Sequence, residues 1–165
     1  LKKLGVLGGE QECNILGGDY PIPKGRKMVK TRRIKLQTKG NCDIIDITHQ
    51  VTQEVAQTRL KDGTVTIFVP GSTGGVTTVE YESGLVSDLR GLFDRVVPTD
   101  IRYQHDRRWG DGNGHAHVRA SLLGASLTVP FVDKRLTLGT WQQIVFLDFD
   151  NRPRSRQLVL QIMGE

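Results

Sequence analysis

Polar and apolar positions change period several times along the chain, and each change predicts an element. VKTRRIKLQT (29–38) alternates enough for a strand, and CDIIDIT (42–48), an apolar run with interleaved Asp, predicts a second. In THQVTQEVAQTRL (48–60), Val51, Val55 and Ala56 share a helical face, with Thr48 as N-cap and Lys61-Asp62-Gly63 as stop and turn. TVTIFVP (64–70) reads as a buried strand. GVTTVEYE (75–82) sets Val76, Thr78 and Glu80 on one face and Thr77, Val79 and Tyr81 on the other, as a half-buried strand requires. SGLVSDLRGLFDRVVP (83–98) repeats Leu85, Val86, Leu89, Leu92, Phe93 and Val96 at helical spacing, with Ser83 as cap and Pro98 as terminator.

The pattern then lapses. Residues 100–114, DIRYQHDRRWGDGNG, read as a polar, glycine-rich loop. HAHVRASLLG (115–124) predicts a short helix closed by Gly124. SLTVPF, TWQQIVFLDFD and SRQLVLQIMG supply three more strands, and VDKRLTLG (132–139) links the first two and can pair as well. Residues 1–27 show no sustained period and contain Pro21 and Pro23, so they read as an N-terminal extension or arm, with the compact domain at 28–165. About seven strands and two to three helices in mixed order predict an α+β fold. Strict βαβα alternation is absent, which counts against a doubly wound nucleotide fold.

Composition narrows this picture. A chain of 165 residues with 37% hydrophobic and 25% charged content is long enough for one domain with a real core. The net charge of +5 admits nucleic acid or a phosphate-bearing small ligand. Its positive residues are spread over KGRKMVKTRRIK, RYQHDRRW and NRPRSR, and aromatics are only 6%, so no basic stacking surface supports nucleic acid. Cys13 and Cys42 form no CxxC pattern and read as free thiols of a reducing compartment. No apolar run approaches a membrane span or a signal-peptide core, so the expected location is cytoplasmic.

Three stretches carry candidate chemistry. PGSTGGVT (70–77) follows a buried strand and can aim backbone N–H groups at a phosphate, helped by Ser72 and Thr73; as a bland alternative it is a tight strand link. It is not a Walker A loop, because no Lys follows the glycines. In DGNGHAH (111–117), His115 and His117 would share a face on a strand but lie about 200° apart on a helix, so the predicted helix splits them. His105 can fold back toward His117, and Glu80 can complete a His/His/carboxylate set for a metal or for acid–base work. Capping or loop hydrogen bonding is the bland alternative for these histidines. Arg154 and Arg156 of NRPRSR can grip phosphate or face solvent in a hairpin turn, and Trp141 can stack on a ring or sit in the core.

NGHAHVRASLLGASLTVPF, RLTLGTWQQIVFLDFD and RSRQLVLQIMGE resemble the hallmark segments of the YjbQ-like family, with IIDIT, TVTIFVPGST and YQH upstream in the expected order. The resemblance runs from about Lys30 to Glu165. It implies an α+β fold with a β-sandwich core, a homotrimer, and a pocket near subunit boundaries. It implies thiamine-phosphate-synthase-like activity, in which a pyrimidine diphosphate joins a thiazole phosphate and pyrophosphate leaves. His117 and His105 would be acid–base groups or ligands of a divalent metal, zinc or magnesium. Glu80 would be their carboxylate and Asn113 an orienting group. Ser72, Thr73, Arg119, Arg154 and Arg156 would hold phosphate. One departure matters: the family's His-Thr-Thr after TIFVP is here Gly71-Ser72-Thr73, one imidazole fewer. That favours the alternative, a non-catalytic trimer binding a phosphate, anion or metal in the same pocket. Nucleic-acid binding, a third reading, rests on charge alone and predicts a steep salt dependence.

Overall fold

The computed structural model describes residues 28–165; the arm read at 1–27, with Cys13, lies outside the described residues. The described chain is α+β, with eight strands and four helices. In chain order these are β1 (Met28–Thr38), β2 (Asp43–Asp46), α1 (Thr48–Ala56), β3 (Gly63–Phe68), β4 (Gly74–Val79), α2 (Ser83–Val96), α3 (Gln104–Trp109), α4 (Gly114–Leu123), β5 (Ser126–Val132), β6 (Arg135–Leu136), β7 (Gln143–Asp148) and β8 (Arg154–Gly164). Five strands form one sheet in the order β1-β8-β3-β5-β6, and three form another in the order β2-β7-β4. Neighbours in both sheets run antiparallel. Among the described residues, no helix is long and apolar enough to cross a membrane.

Two-residue periodicity explains where each sheet buries its side chains. Ile34 and Leu36 of β1, Val65 and Ile67 of β3, Val129 and Phe131 of β5, and Leu158, Leu160 and Ile162 of β8 point to one side of the larger sheet. They meet Val76 of β4, Ile144 and Phe146 of β7, and Val51 and Val55 of α1 in one buried cluster. The alternate residues of β7, Val145 and Leu147, face the opposite way. With Phe149 they pack against Phe93 of α2 and Ala116 and Ala120 of α4 in a second cluster. β7 is therefore buried on both faces, which is why it reads as an unbroken apolar run.

Several local expectations shift. Thr48 is the first helical residue of α1, and its hydroxyl accepts the Ile144 N–H at 2.8 Å, tying the helix to β7 instead of capping it. The N-cap of α2 is Glu82, whose carboxylate accepts the N–H groups of Gly84 and Leu85, so Ser83 is not the cap. Of the α2 stripe, Phe93 is buried, whereas Leu92 and Val96 face solvent. The loop expected at 100–114 contains α3, too short and too polar for an apolar period to reveal it. Trp141 is 69% exposed, between β6 and β7, and is not a core residue.

Candidate site at the start of helix α4

The site is built where α3, the start of α4 and the β7–β8 connection converge. α4 begins at Gly114, whose N–H donates to Asp106 Oδ1 of α3 at 2.8 Å. A Cβ at Gly114 would lie 2.4 Å from the Tyr103 Cβ, so the two helices approach this closely only with glycine there. Tyr103 is in turn held by its hydroxyl, which donates to the Pro98 carbonyl at 2.6 Å. Asn113 is buried, and its side chain does not cap α4. Its Oδ1 accepts the Asn151 N–H at 3.1 Å, while the Asn151 side chain donates to the Asp111 carbonyl at 2.8 Å. Asn113 thus fixes the helix start to the β7–β8 turn.

This framing brings His105 and His117 together. Their ring centroids are 4.2 Å apart with planes tilted by 37°. His105 Nε2 lies 3.4 Å from Asp111 Oδ2. One ligand atom from each of His105, Asp111 and His117 lies within 4.8 Å of the others. A tetrahedral zinc ion with bonds near 2.0–2.1 Å needs ligand atoms roughly 3.3–3.5 Å apart; His105 and Asp111 already stand at that spacing, and His117 brings a ligand atom within 4.8 Å of theirs. What little desolvation Asp111 feels raises its pKa, but the Asn113 N–H and the hydrogen bond and charge of His105 hold it below the ordinary carboxylate value.

His117 opens onto a cleft of about 400 Å³ lined by the 71–73 loop, Asp111, Asn113, Asp150, Arg154 and Arg156. The charged wall of this cleft is tightly knit. Arg156 donates through Nε and Nη2 to both oxygens of Asp148, at 2.7 and 2.6 Å, and through Nη2 to Thr73 Oγ1 at 2.8 Å. Thr73 donates onward to Asp150 Oδ2 at 3.0 Å, and Thr38 donates to Asp148 at 2.6 Å. Arg154 Nε sits 2.9 Å from Asp150 Oδ2 but off the line of its N–H, so the contact is a charge pair and not a directed bond. Burial works against the charge of Arg156, but Asp148 and Asp150 outweigh it and raise its pKa. Burial likewise pushes Asp150 up, but Arg154, Thr73 and Arg156 together bring it below the ordinary value. The two carboxylates are almost wholly buried and match the two guanidiniums in charge. Among the described residues, the outer part of Arg154 and the Ser72 hydroxyl have no protein partner at the cleft, and His117 opens onto it.

The expected site residues therefore divide. His105, His117, Asn113, Ser72, Thr73, Arg154 and Arg156 converge on this region. Glu80 does not: it is exposed beyond the far end of β4, roughly 20 Å along the strand from Gly74, which lines a cavity beside His117. Asp111 occupies the place expected of its carboxylate. DGNG carries that residue, but no strand or helix period marks it. Arg119 is also elsewhere. It is buried behind α4, where its Nε and Nη2 donate to the Val97 carbonyl and Nη2 to Asp94. Asp148 and Asp150, which organise the arginines, were hidden inside the apolar TWQQIVFLDFD run. His115 points away from His117, as a helical DGNGHAH requires. Gly71 has φ 142, a region that favours glycine, and a Cβ there would meet only Arg156 Nη1, at 3.7 Å. A surface cavity of about 560 Å³ between Met28 and Met163 holds none of these groups.

Comparison with known proteins agrees with this architecture. The sequence model of the family described as UPF0047 protein YjbQ-like matches residues 32–165. A UPF0047 protein of Archaeoglobus fulgidus is 39% identical over 130 residues, covering 79% of this chain and 98% of that protein. The UPF0047 protein YugU of Bacillus subtilis is 37% identical over 138 residues, 83% of this chain and all of its own length. Among solved structures, a YbjQ-like protein of unknown function from Sulfolobus solfataricus superposes with a TM-score of 0.79 at 32% identity, covering 84% of this chain and 99% of that one. A hypothetical protein from Aeropyrum pernix gives 0.76 at 29% identity, over 82% and 99%.

Proposed function

The chain belongs to the YjbQ-like UPF0047 family, and from that premise we propose that its cleft binds a small phosphorylated heterocycle together with a divalent cation held by His105, Asp111 and His117. One observation carries this reading. Arg154 and Arg156 are already matched by Asp150 and Asp148, so the cleft wall has little positive charge to spare for a phosphate. A cation beside it supplies that charge, and two imidazoles with one carboxylate suit zinc better than magnesium. When bound, the metal would place positive charge next to the phosphate oxygens. The chain's own groups do the rest. Ser72 and Arg154 donate to the phosphate, Thr73 and Arg156 keep the loop in register with β8, and Asn113 fixes the angle at which His117 enters the cleft.

The family resemblance supports a thiamine-phosphate-synthase-like reaction as the chemistry, with pyrophosphate leaving as the two heterocycles join. A non-catalytic binding role is the second reading, favoured by Gly71 where an imidazole is expected. Assembly as a trimer with sandwich-like sheets belongs to the same proposal. The exposed Val29, Phe68, Val132 and Met163 on the outer side of the larger sheet offer apolar area for such contacts, and the mass in solution by light scattering tests it. For the reaction, pyrophosphate release from the two phosphorylated heterocycles is followed with zinc or magnesium present. Turnover that falls at least about 100-fold in His117→Ala supports the enzyme. Pyrophosphate binding without turnover in the parent chain supports the binding role, and neither binding nor turnover rejects both.

A further inference from the structure

Behind α4 lies a separate cavity that takes no part in the cleft. Its volume is about 270 Å³, room for roughly nine water molecules. Asn41, Cys42, Arg90, Asp94, His115 and Arg119 wall it. His115 and Arg119 are four residues apart on α4, so both point to this side, and they are only 6% and 2% exposed.

The donors here are only partly used. Arg119 spends Nε and Nη2 on the Val97 carbonyl and Asp94, and its Nη1 has no protein acceptor among the described residues. Arg90 reaches in from α2 and spends only Nε, on the Cys42 carbonyl at 3.2 Å; its two Nη groups have no protein acceptor among the described residues. The His115 ring lies on the same wall, and in either tautomer it offers one N–H. Asp94 is the one carboxylate on the wall and is already spent on Arg119, so the two guanidiniums leave one positive charge unmatched. The wall is also strained. Gly40, Asn41 and Cys42 follow one another at φ 72, 52 and 61, a left-handed run that is costly for Cys42 and typical of shaped sites.

We propose that this cavity is a binding site for a small oxyanion, a carboxylate or a phosphate, held between Arg90 and Arg119 with His115 as a further donor. It needs no metal, because the charge it offers is not cancelled by its own wall.

The test is a titration of the full chain with inorganic phosphate and, separately, with acetate. Magnetic resonance of the arginine Nε–H groups and histidine rings reads it in the parent, Arg90→Gln and His117→Ala. The expected result is saturable movement of the Arg119 and His115 signals that survives in His117→Ala and weakens by about tenfold or more in Arg90→Gln. Response to phosphate alone assigns the site to phosphates, and response to acetate assigns it to carboxylates. Arg90 is a surface side chain, so its variant keeps the fold, and an unchanged melting temperature verifies this. Movement confined to His105, His117 and Arg154, or full affinity in Arg90→Gln, would overturn the proposal. So would still signals at Arg119 and His115 with both anions.

Discussion

The two sides of α4 use the same residue types in opposite ways. In front, His117 meets His105 and Asp111 in a half-open cluster, while the nearby arginines are locked to buried aspartates. Behind, His115 is buried, Arg119 is anchored to a backbone carbonyl, and one guanidinium charge is left unmatched. Counting arginines would make both sides anion sites. Charge matching separates them: on the proposed reading the front holds a phosphate only with a cation beside it, and the rear holds its oxyanion without one.

Cutting the front network should have the largest effect. Arg156→Met leaves Asp148 buried without its ion-pair partner and takes one of two from Asp150, and should cost about 3–5 kcal/mol in urea unfolding. His117→Ala should weaken zinc binding at least about 100-fold yet change stability by less than about 1 kcal/mol, because the ring is partly exposed. Arg119→Met should cost about 1–3 kcal/mol, from the stranded Val97 carbonyl, and leave zinc affinity as it was. Gly71→His tests whether the missing imidazole matters. The φ of 142 should cost about 1–3 kcal/mol, while the new ring beside Arg156 should tighten zinc binding. The smallest effect is in pH dependence. His115 has a lowered pKa, so its contribution to stability is full above the unfolded value of 6.5 and declines as pH falls toward the folded one. Melting curves below pH 6.5 should therefore flatten in His115→Asn. Asp150, also lowered, adds its own loss only when pH falls below the carboxylate value of 3.8.

Periodicity carried much of this molecule and failed at identifiable points. The strands of both sheets, α1, α2 and α4 follow from apolar spacing, and the helical reading of HAHVRASLLG correctly parts His115 from His117. α3 escaped because QHDRRW has no apolar face; it is held by its neighbours, through Asp106 and the close contact of Gly114 with Tyr103. Glu80 and Asp111 exchanged places for a related reason. A strand pattern says which face a carboxylate takes but not how far along the strand a site lies. The resemblance puts Arg119 among the phosphate groups, and only tertiary contacts reveal that α4 turns it the other way. No sequence pattern marks the Asp148 and Asp150 pair, because a carboxylate inside an apolar run gains its meaning from arginines four to eight residues further along the chain.

The most direct test of the central claim is a calorimetric zinc titration of the parent chain, His117→Ala, Asp111→Asn and Glu80→Gln. The geometry predicts one site in the parent and in Glu80→Gln, and loss or severe weakening in the other two. No zinc binding in the parent, or binding that survives in His117→Ala and disappears in Glu80→Gln, would contradict it.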